Sequence, residues 1–233
     1  PLSFPCFYPP FPPFFPLPFS PFFFRIMPLK LYTYPNNSRA AKGLIAAQYA
    51  GVQVEVASDF VMGKTNKSDE FLALNPLGKV PTLEVTDAKG NKSGVFESNA
   101  IARYVSRVGK KANNLFGATA EEEGLINSFI DLTVGEIDLP AAAWLYPIKG
   151  YIPQNEAATK AAKKDIRGVL TTLNNHLATR TFLVGERISL ADIVVACSLH
   201  DLYVHVLDNG FRKQFVHTNR WFATLTAQAE FRA

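Results

Sequence analysis

The chain has 233 residues, 48% apolar and 19% charged, enough apolar content for a sizeable core in one or two domains and too much for a disordered or coiled-coil protein. Its 24 Lys and Arg against 20 Asp and Glu give a formal net charge of +4, which is weakly basic. The closest cationic runs, Lys110-Lys111 and Lys160 to Lys164, fall short of the dense stripe of a nucleic-acid binder, the second being interleaved with alanines as on a solvated helix face.

Residues 1–26 hold nine of the 16 prolines, nine of the 19 phenylalanines and one charge, Arg25. The segment lacks a basic n-region, and its prolines forbid the apolar helix of a secretory signal. The same prolines rule out a bilayer span. It reads as low-complexity, extended sequence. The abrupt change at Met27 leads to the expectation that translation starts there and that 1–26 is upstream sequence read in error, with a partner-binding proline-rich tail as the alternative. Only Cys6 and Cys197 occur, so no disulfide framework or zinc cluster can be built and a reducing compartment is expected.

Leu29 to Tyr34 alternates and is rich in strand formers. Pro35-Asn36-Asn37 breaks it, and a helix is predicted from about Ser38 to Ala50, ended by Gly51. Val52 to Val56 reads as a second strand, completing a βαβ unit. Ser68 caps a short helix through Asp69, Glu70 and Phe71 that stops at Asn75-Pro76. Val80 to Val85 and Gly94 to Phe96 form an antiparallel hairpin over the turn Asp87 to Lys92, and a helix follows from Ser98 to about Val108. Pro81 cannot donate to a ladder, so it belongs on an edge, in a bulge or in a cis turn. The order describes a small α+β domain over 27–108.

Past a polar linker, 109–119, no β-rich stretch appears, and 120–233 is predicted to be all-helical. Glu121 to Asp138 and Asn155 to Thr179 are helices separated by a bend through Trp144-Leu145-Tyr146-Pro147. The clearest local pattern is Ile188-Ser189-Leu190-Ala191-Asp192-Ile193, a capping box in which Ser189 bonds the Asp192 N–H and Asp192 reaches back. The helix it opens is apolar nearly all round, as a buried helix is. Arg220 to Ala229 supplies the last helix.

Gly78-Lys79-Val80-Pro81, Glu97-Ser98 and Ser189-Leu190-Ala191-Asp192, set in this order of elements, resemble the cytosolic glutathione transferases. The resemblance implies an α+β, thioredoxin-like N-terminal domain followed by an all-α domain of the transferase C-terminal type. Leu31-Tyr32-Thr33-Tyr34-Pro35, Phe96 to Ala102, Thr179 to Arg187 and Asn219-Arg220-Trp221-Phe222 narrow it to the family of gamma subunits of translation elongation factor 1. That family implies a cytoplasmic scaffold that binds the guanine-nucleotide-exchange subunit and supports elongation, with no cofactor required and no direct contact with nucleic acid or membrane. Pairing with a second copy or with another transferase-like subunit stays open. Because the family continues into a charged linker and a further domain, the sequence reads as a fragment, a truncated gene model or a shortened relative.

In transferases the residue before the cis-proline offers its backbone to the cysteinyl part of glutathione, like an added strand, which implies that role for Val80 beside Pro81. The γ-glutamyl carboxylate sits at a helix N-terminus, which implies Ser98, with Glu97 for the ammonium and Lys79 for the glycyl carboxylate. These residues equally belong to the fold where no ligand binds, and Lys79 reads first as solvated surface. Turnover also needs a donor that stabilises the thiolate. The loop Tyr34 to Arg39 offers Asn37, with Ser38 as the alternative, although Ser38 reads first as a plain helix cap. The competing function is therefore an active transferase that conjugates glutathione, its co-substrate, to small electrophiles. Tyr32 and Tyr34 read as strand side chains. Cys197 and His200 share a helix face without further ligands for a metal, and Glu136 and Asp138 read as a solvated helix end.

Overall fold

The computed structural model describes residues 28–109 and 115–232. The leader 1–26 and the middle of the predicted linker lie outside the described residues. The N-terminal part runs β1 (Leu29–Tyr32), α1 (Ser38–Ala50), β2 (Glu55–Val56), α2 (Asp69–Leu74), β3 (Thr82–Thr86), β4 (Lys92–Phe96) and α3 (Ser98–Val108). Its sheet has the order β2-β1-β3-β4, with β2 parallel to β1 and the other neighbours antiparallel.

Alternation along β1 sets the layers. Leu29 and Leu31 enter the main core with α1 and α3, whereas Tyr32 turns to the opposite face and meets Phe71 of α2 edge-on at 5.4 Å. Of the strand predicted from Val52, only Glu55 and Val56 pair with β1. The reason is local: the Val52 N–H bonds Ala47 O at 2.9 Å and closes the left-handed cap of α1 at Gly51, so Val52 belongs to the helix end. Two glycines permit close approaches. A Cβ on Gly43 of α1 would lie 2.8 Å from Ile101 Cγ2 of α3, and one on Gly94 of β4 would lie 2.0 Å from the Leu74 carbonyl oxygen that ends α2.

The helical part comprises α4 (Ala120–Leu132), a π-helical turn (Thr133–Asp138), α5 (Leu139–Ile148), α6 (Glu156–His176), α7 (Leu190–His205), α8 (Asn209–Arg212) and α9 (Val216–Thr226). The predicted bend at Trp144 to Pro147 is helix instead. Pro147 falls in the last turn of α5, so the bond that its missing N–H forfeits, to Ala143 O, lies one residue from the helix end. The last helix starts at Val216, earlier than Arg220 as predicted, and stops at Thr226.

The buried helix is α7, with Ile193, Val194, Val195 and Leu199 fully enclosed. Its capping box forms, and Asp192 does more than cap. The carboxylate accepts from the Leu183 and Ser189 N–H groups at 2.9 Å, and from Ser189 Oγ and Trp221 Nε1 at 2.8 Å. One buried carboxyl group thus ties the loop before α7 and the helix α9 to the start of α7, its four hydrogen bonds opposing the burial that raises its pKa. Among the described residues no helix is long and apolar enough to cross a membrane.

Candidate functional site

Sheet register brings three connections to one end of the sheet. Tyr32 ends β1 opposite Thr82, and Thr82 starts β3 opposite Phe96, which ends β4. The loop before α1, the turn at Val80-Pro81 and the corner at Glu97-Ser98 therefore leave the sheet side by side. The Val80-Pro81 peptide is cis and Pro81 immediately precedes β3.

Two buried asparagines build the turn. Asn75 Nδ2 donates to Lys79 O and Thr82 Oγ1, each at 2.9 Å, and Asn66 Nδ2 donates to Gly78 O at 2.7 Å. These bonds satisfy the peptides on the N-terminal side of Val80 and leave the Val80 N–H and C=O with no partner among the described residues. An unpaired peptide edge of this kind accepts an added strand. Sequence reasoning took Asn75 only as a helix stop and did not single out Asn66.

At the corner, Glu97 holds φ +68° and ψ +121°, a conformation that a residue with a side chain seldom adopts. It caps α3 without a side-chain hydrogen bond, so the first N–H groups of an 11-residue helix lack an internal acceptor. Such an end favours an anion. Lys79 is exposed beside the turn.

Before α1 the cap read from sequence at Ser38 falls one residue earlier. Asn37, rather than Ser38, is the N-cap: its Oδ1 accepts from Arg39 N–H at 3.1 Å, and its Nδ2 donates to Thr33 Oγ1 at 3.0 Å. Asn37 has extended backbone and is buried, so its amide is committed to the loop. Ser38 is the first helical residue, and its hydroxyl makes no hydrogen bond among the described residues. Tyr32 is a structural donor, bonding Glu84 at 2.9 Å, and burial followed by Glu84 pushes its hydroxyl up to about 12.

Ser38 lines a cavity of about 880 Å³. Tyr34 and Asn37 edge it, Ala41 and Leu44 of α1 form an apolar wall, and Cys197 and His200 of α7 stand opposite. Lys79, Val80, Pro81, Glu97 and Ser98 do not line it, so the cavity and the sheet-end groups meet only through the β1–α1 loop. Burial pushes the Cys197 thiol up to about 12, which leaves it protonated and packed as a small apolar group. No cluster of metal-ligating side chains exists among the described residues.

Behind the site lies a buried network that sequence reasoning missed. The Lys42 side chain is 1% exposed, and its Nζ donates to Asn99 Oδ1 at 3.1 Å and Asp138 Oδ2 at 3.2 Å. Asn99 Nδ2 in turn donates to Ile130 O and Thr133 Oγ1, each at 3.2 Å. Asp138 is therefore not a solvated helix end, and the network joins α1 and α3 to the π turn directly behind Ser98. Burial lowers the Lys42 pKa while Asp138 pulls it back up.

The Glutathione S-transferase, N-terminal domain model matches residues 27–107, and the Glutathione S-transferase, C-terminal domain model matches residues 137–229. Elongation factor 1-gamma of Artemia salina is 50% identical over 204 residues, and that of Equus caballus 48% over 206, covering 88% and 87% of this chain. The chain spans only 45% of the length of either relative. Among solved structures, the theta-class glutathione S-transferase of Xanthomonas axonopodis pv. citri with glutathione bound superposes with a TM-score of 0.75 at 22% identity, over 88% of this chain and 96% of that one. With both domain models matched and about half its residues shared with the gamma relatives over most of its length, the chain belongs to the glutathione S-transferase family and groups within it with the elongation factor 1-gamma proteins.

Proposed function

We propose that the chain acts as a transferase-shaped scaffold in translation elongation, binding the guanine-nucleotide-exchange subunit of an elongation factor 1 complex in the cytoplasm. The observation that carries this reading is the 50% identity to an elongation factor 1-gamma across 88% of the chain. Scaffolding needs a stable, specific surface and no reacting group. The direct test mixes the purified chain with the exchange subunit of the same organism and follows co-elution by size-exclusion chromatography. Stoichiometric co-elution is expected, and separate elution at micromolar concentration would reject the reading.

Glutathione binding with turnover is the second reading, favoured by the open Val80 peptide edge and the uncapped α3. Here the Val80 backbone takes the cysteinyl part, the Ser98 N–H end takes the γ-glutamyl carboxylate, Glu97 meets the ammonium and Lys79 the glycyl carboxylate. Ser38 then donates to the sulfur. Its hydrogen bond stabilises the thiolate left when the thiol proton departs to solvent, and the thiolate bonds the electrophilic carbon of an aryl halide in the cavity as the carbon–halogen bond breaks and the halide leaves to solvent. The Asn37 amide serves this reading by fixing the loop. Steady-state conjugation to a generic aromatic electrophile tests it with two variants. Ser38→Ala should abolish turnover with little loss of stability, whereas Asn37→Ala should cost about 1 kcal/mol through the lost cap. Full turnover in folded Ser38→Ala would exclude Ser38 as the donor, and no turnover in the wild type would leave the scaffold alone.

A further inference from the structure

We infer that the outer face of α6, continued onto α8, is a docking surface for an acidic, amphipathic helix of a partner protein. The inference deepens the scaffold reading, on which it rests for the existence of a partner. Lys160, Lys163, Lys164 and Arg167 recur at the three- and four-residue steps of α6 and are all exposed. At 3.6 residues per turn they share an arc of about 100°, in which the only acidic residue of α6 is Glu156 in its first turn, four residues before Lys160, while Asp165 lies about 100° beyond its edge. None of the four pairs with a carboxylate among the described residues. By contrast, Arg103 and Arg107 of α3 are both paired, with Asp131 and Glu123 of α4. Like charges at these spacings repel, so the row weakens the helix that carries it.

The cations are also held in place. Lys163 Nζ sits 5.3 Å from the centroid of the Trp144 ring, and Arg167 Cζ 4.3 Å from that of Phe211. Next along α8, Arg212 Cζ lies 5.7 Å from the Tyr203 centroid. Trp144 and Phe211 are themselves 5.6 Å apart, so one aromatic pair underlies Lys163 and Arg167, while Tyr203 stacks on Phe222 of α9. Fixing long side chains before a partner arrives lowers the entropy lost on binding.

Two features select protein over nucleic acid. The cations cover the ring faces, which removes the stacking platform that single strands use. Ile148, 60% exposed, stands one turn beyond Trp144 on the same side of α5, near the α6 end that carries Lys160. An apolar anchor beside a cationic row suits a helix with Asp or Glu at three- and four-residue steps and an apolar row alongside.

The test titrates the full chain into a fluorescein-labelled synthetic helix of that design and records anisotropy. The α6 reversal K160E/K163E/R167E is compared with the charge-matched reversal K64E/K67E/K89E on the N-terminal part, each confirmed folded by circular dichroism. The α6 reversal should weaken binding about 10-fold or more and the matched reversal little, with Ile148→Ser also weakening it. Equal weakening in the two reversals would reduce the effect to net charge and overturn the proposal, as would no binding by the wild type. A short RNA duplex that displaces the peptide and binds more tightly would assign the face to nucleic acid instead. Loss of exchange-subunit co-elution as a property of the wild type, with peptide binding intact, would remove the scaffold reading and leave this surface standing.

Discussion

Replacing Lys42 by Met and Asp138 by Asn should destabilise the fold unequally, because burial is unequal across the pair. The Lys42 side chain is 1% exposed and that of Asp138 is 21% exposed. Lys42→Met keeps the aliphatic stem and removes the ammonium, leaving Asp138, which water reaches, and Asn99 Oδ1, which loses its donor. An orphaned polar group costs about 1–3 kcal/mol, and rehydration of Asp138 keeps the total in that range. Asp138→Asn instead leaves a buried ammonium without a counter-charge, for which about 3–5 kcal/mol is expected. The double variant removes both charges and should be more stable than Asp138→Asn alone. There is a pH signature as well. Lys42 already has a lowered folded pKa against the ordinary 10.5, and losing Asp138 lowers it further. Between the folded and unfolded values the unfolded chain binds more protons, so the stability of Asp138→Asn should climb as pH rises toward 10.5. Urea unfolding followed by the fluorescence of Trp144 and Trp221, near neutral pH and near pH 9, measures all of these quantities. A larger loss for Lys42→Met than for Asp138→Asn, or a double-variant loss equal to the sum, would refute the reasoning.

Asp192→Ala strips the acceptor from two N–H groups, a hydroxyl and an indole N–H in the core. It should cost about 3–5 kcal/mol in thermal unfolding, with Asp192→Asn costing less because one acceptor oxygen remains. Asp201 is held down to about 2 by hydrogen bonds from His200 and Lys149, the Lys149 contact being the shorter at 2.8 Å. A depressed carboxylate contributes stability that is present above its ordinary 3.8 and lost as pH falls toward 2. Acid titrations of wild type and Asp201→Asn should therefore converge over that window, and a constant difference between them would count against the pair. Gly94→Ala places a methyl group 2.0 Å from the Leu74 carbonyl oxygen and should prevent α2 from packing on β4. A soluble variant with unchanged melting temperature would show that the approach is looser than the structure has it.

Much of the fold was legible because its cues are local. The alternation of Leu29 to Tyr32, the breaker Pro35-Asn36-Asn37, the hairpin on either side of Asp87 and the Ser189–Asp192 box each act within a few residues, and each formed. Where local cues competed, sequence could not rank them. Asn37 and Ser38 are both good caps, and only the extended backbone of Asn37 against the helical start at Ser38 assigns the role. The π turn was invisible because an extra residue in one turn shifts the helical period without changing composition, and Pro147 read as a break because its distance from the helix end was unknown.

By itself the sequence determined the order of strands and helices in the N-terminal part, the helical nature of the rest and the position of the cap that opens the buried helix, while it left Pro81 among an edge, a bulge and a cis turn. Tertiary structure alone decided that Lys42 is enclosed, since its partners Asn99 and Asp138 lie 57 and 96 residues away. It alone decided too that Lys163 and Arg167 rest on rings from α5 and α8. Both facts concern the environment of a charge. A lysine is the same residue on a solvated face and in a core, and whether water, a carboxylate or a ring surrounds it is settled by chain segments that local patterning does not connect.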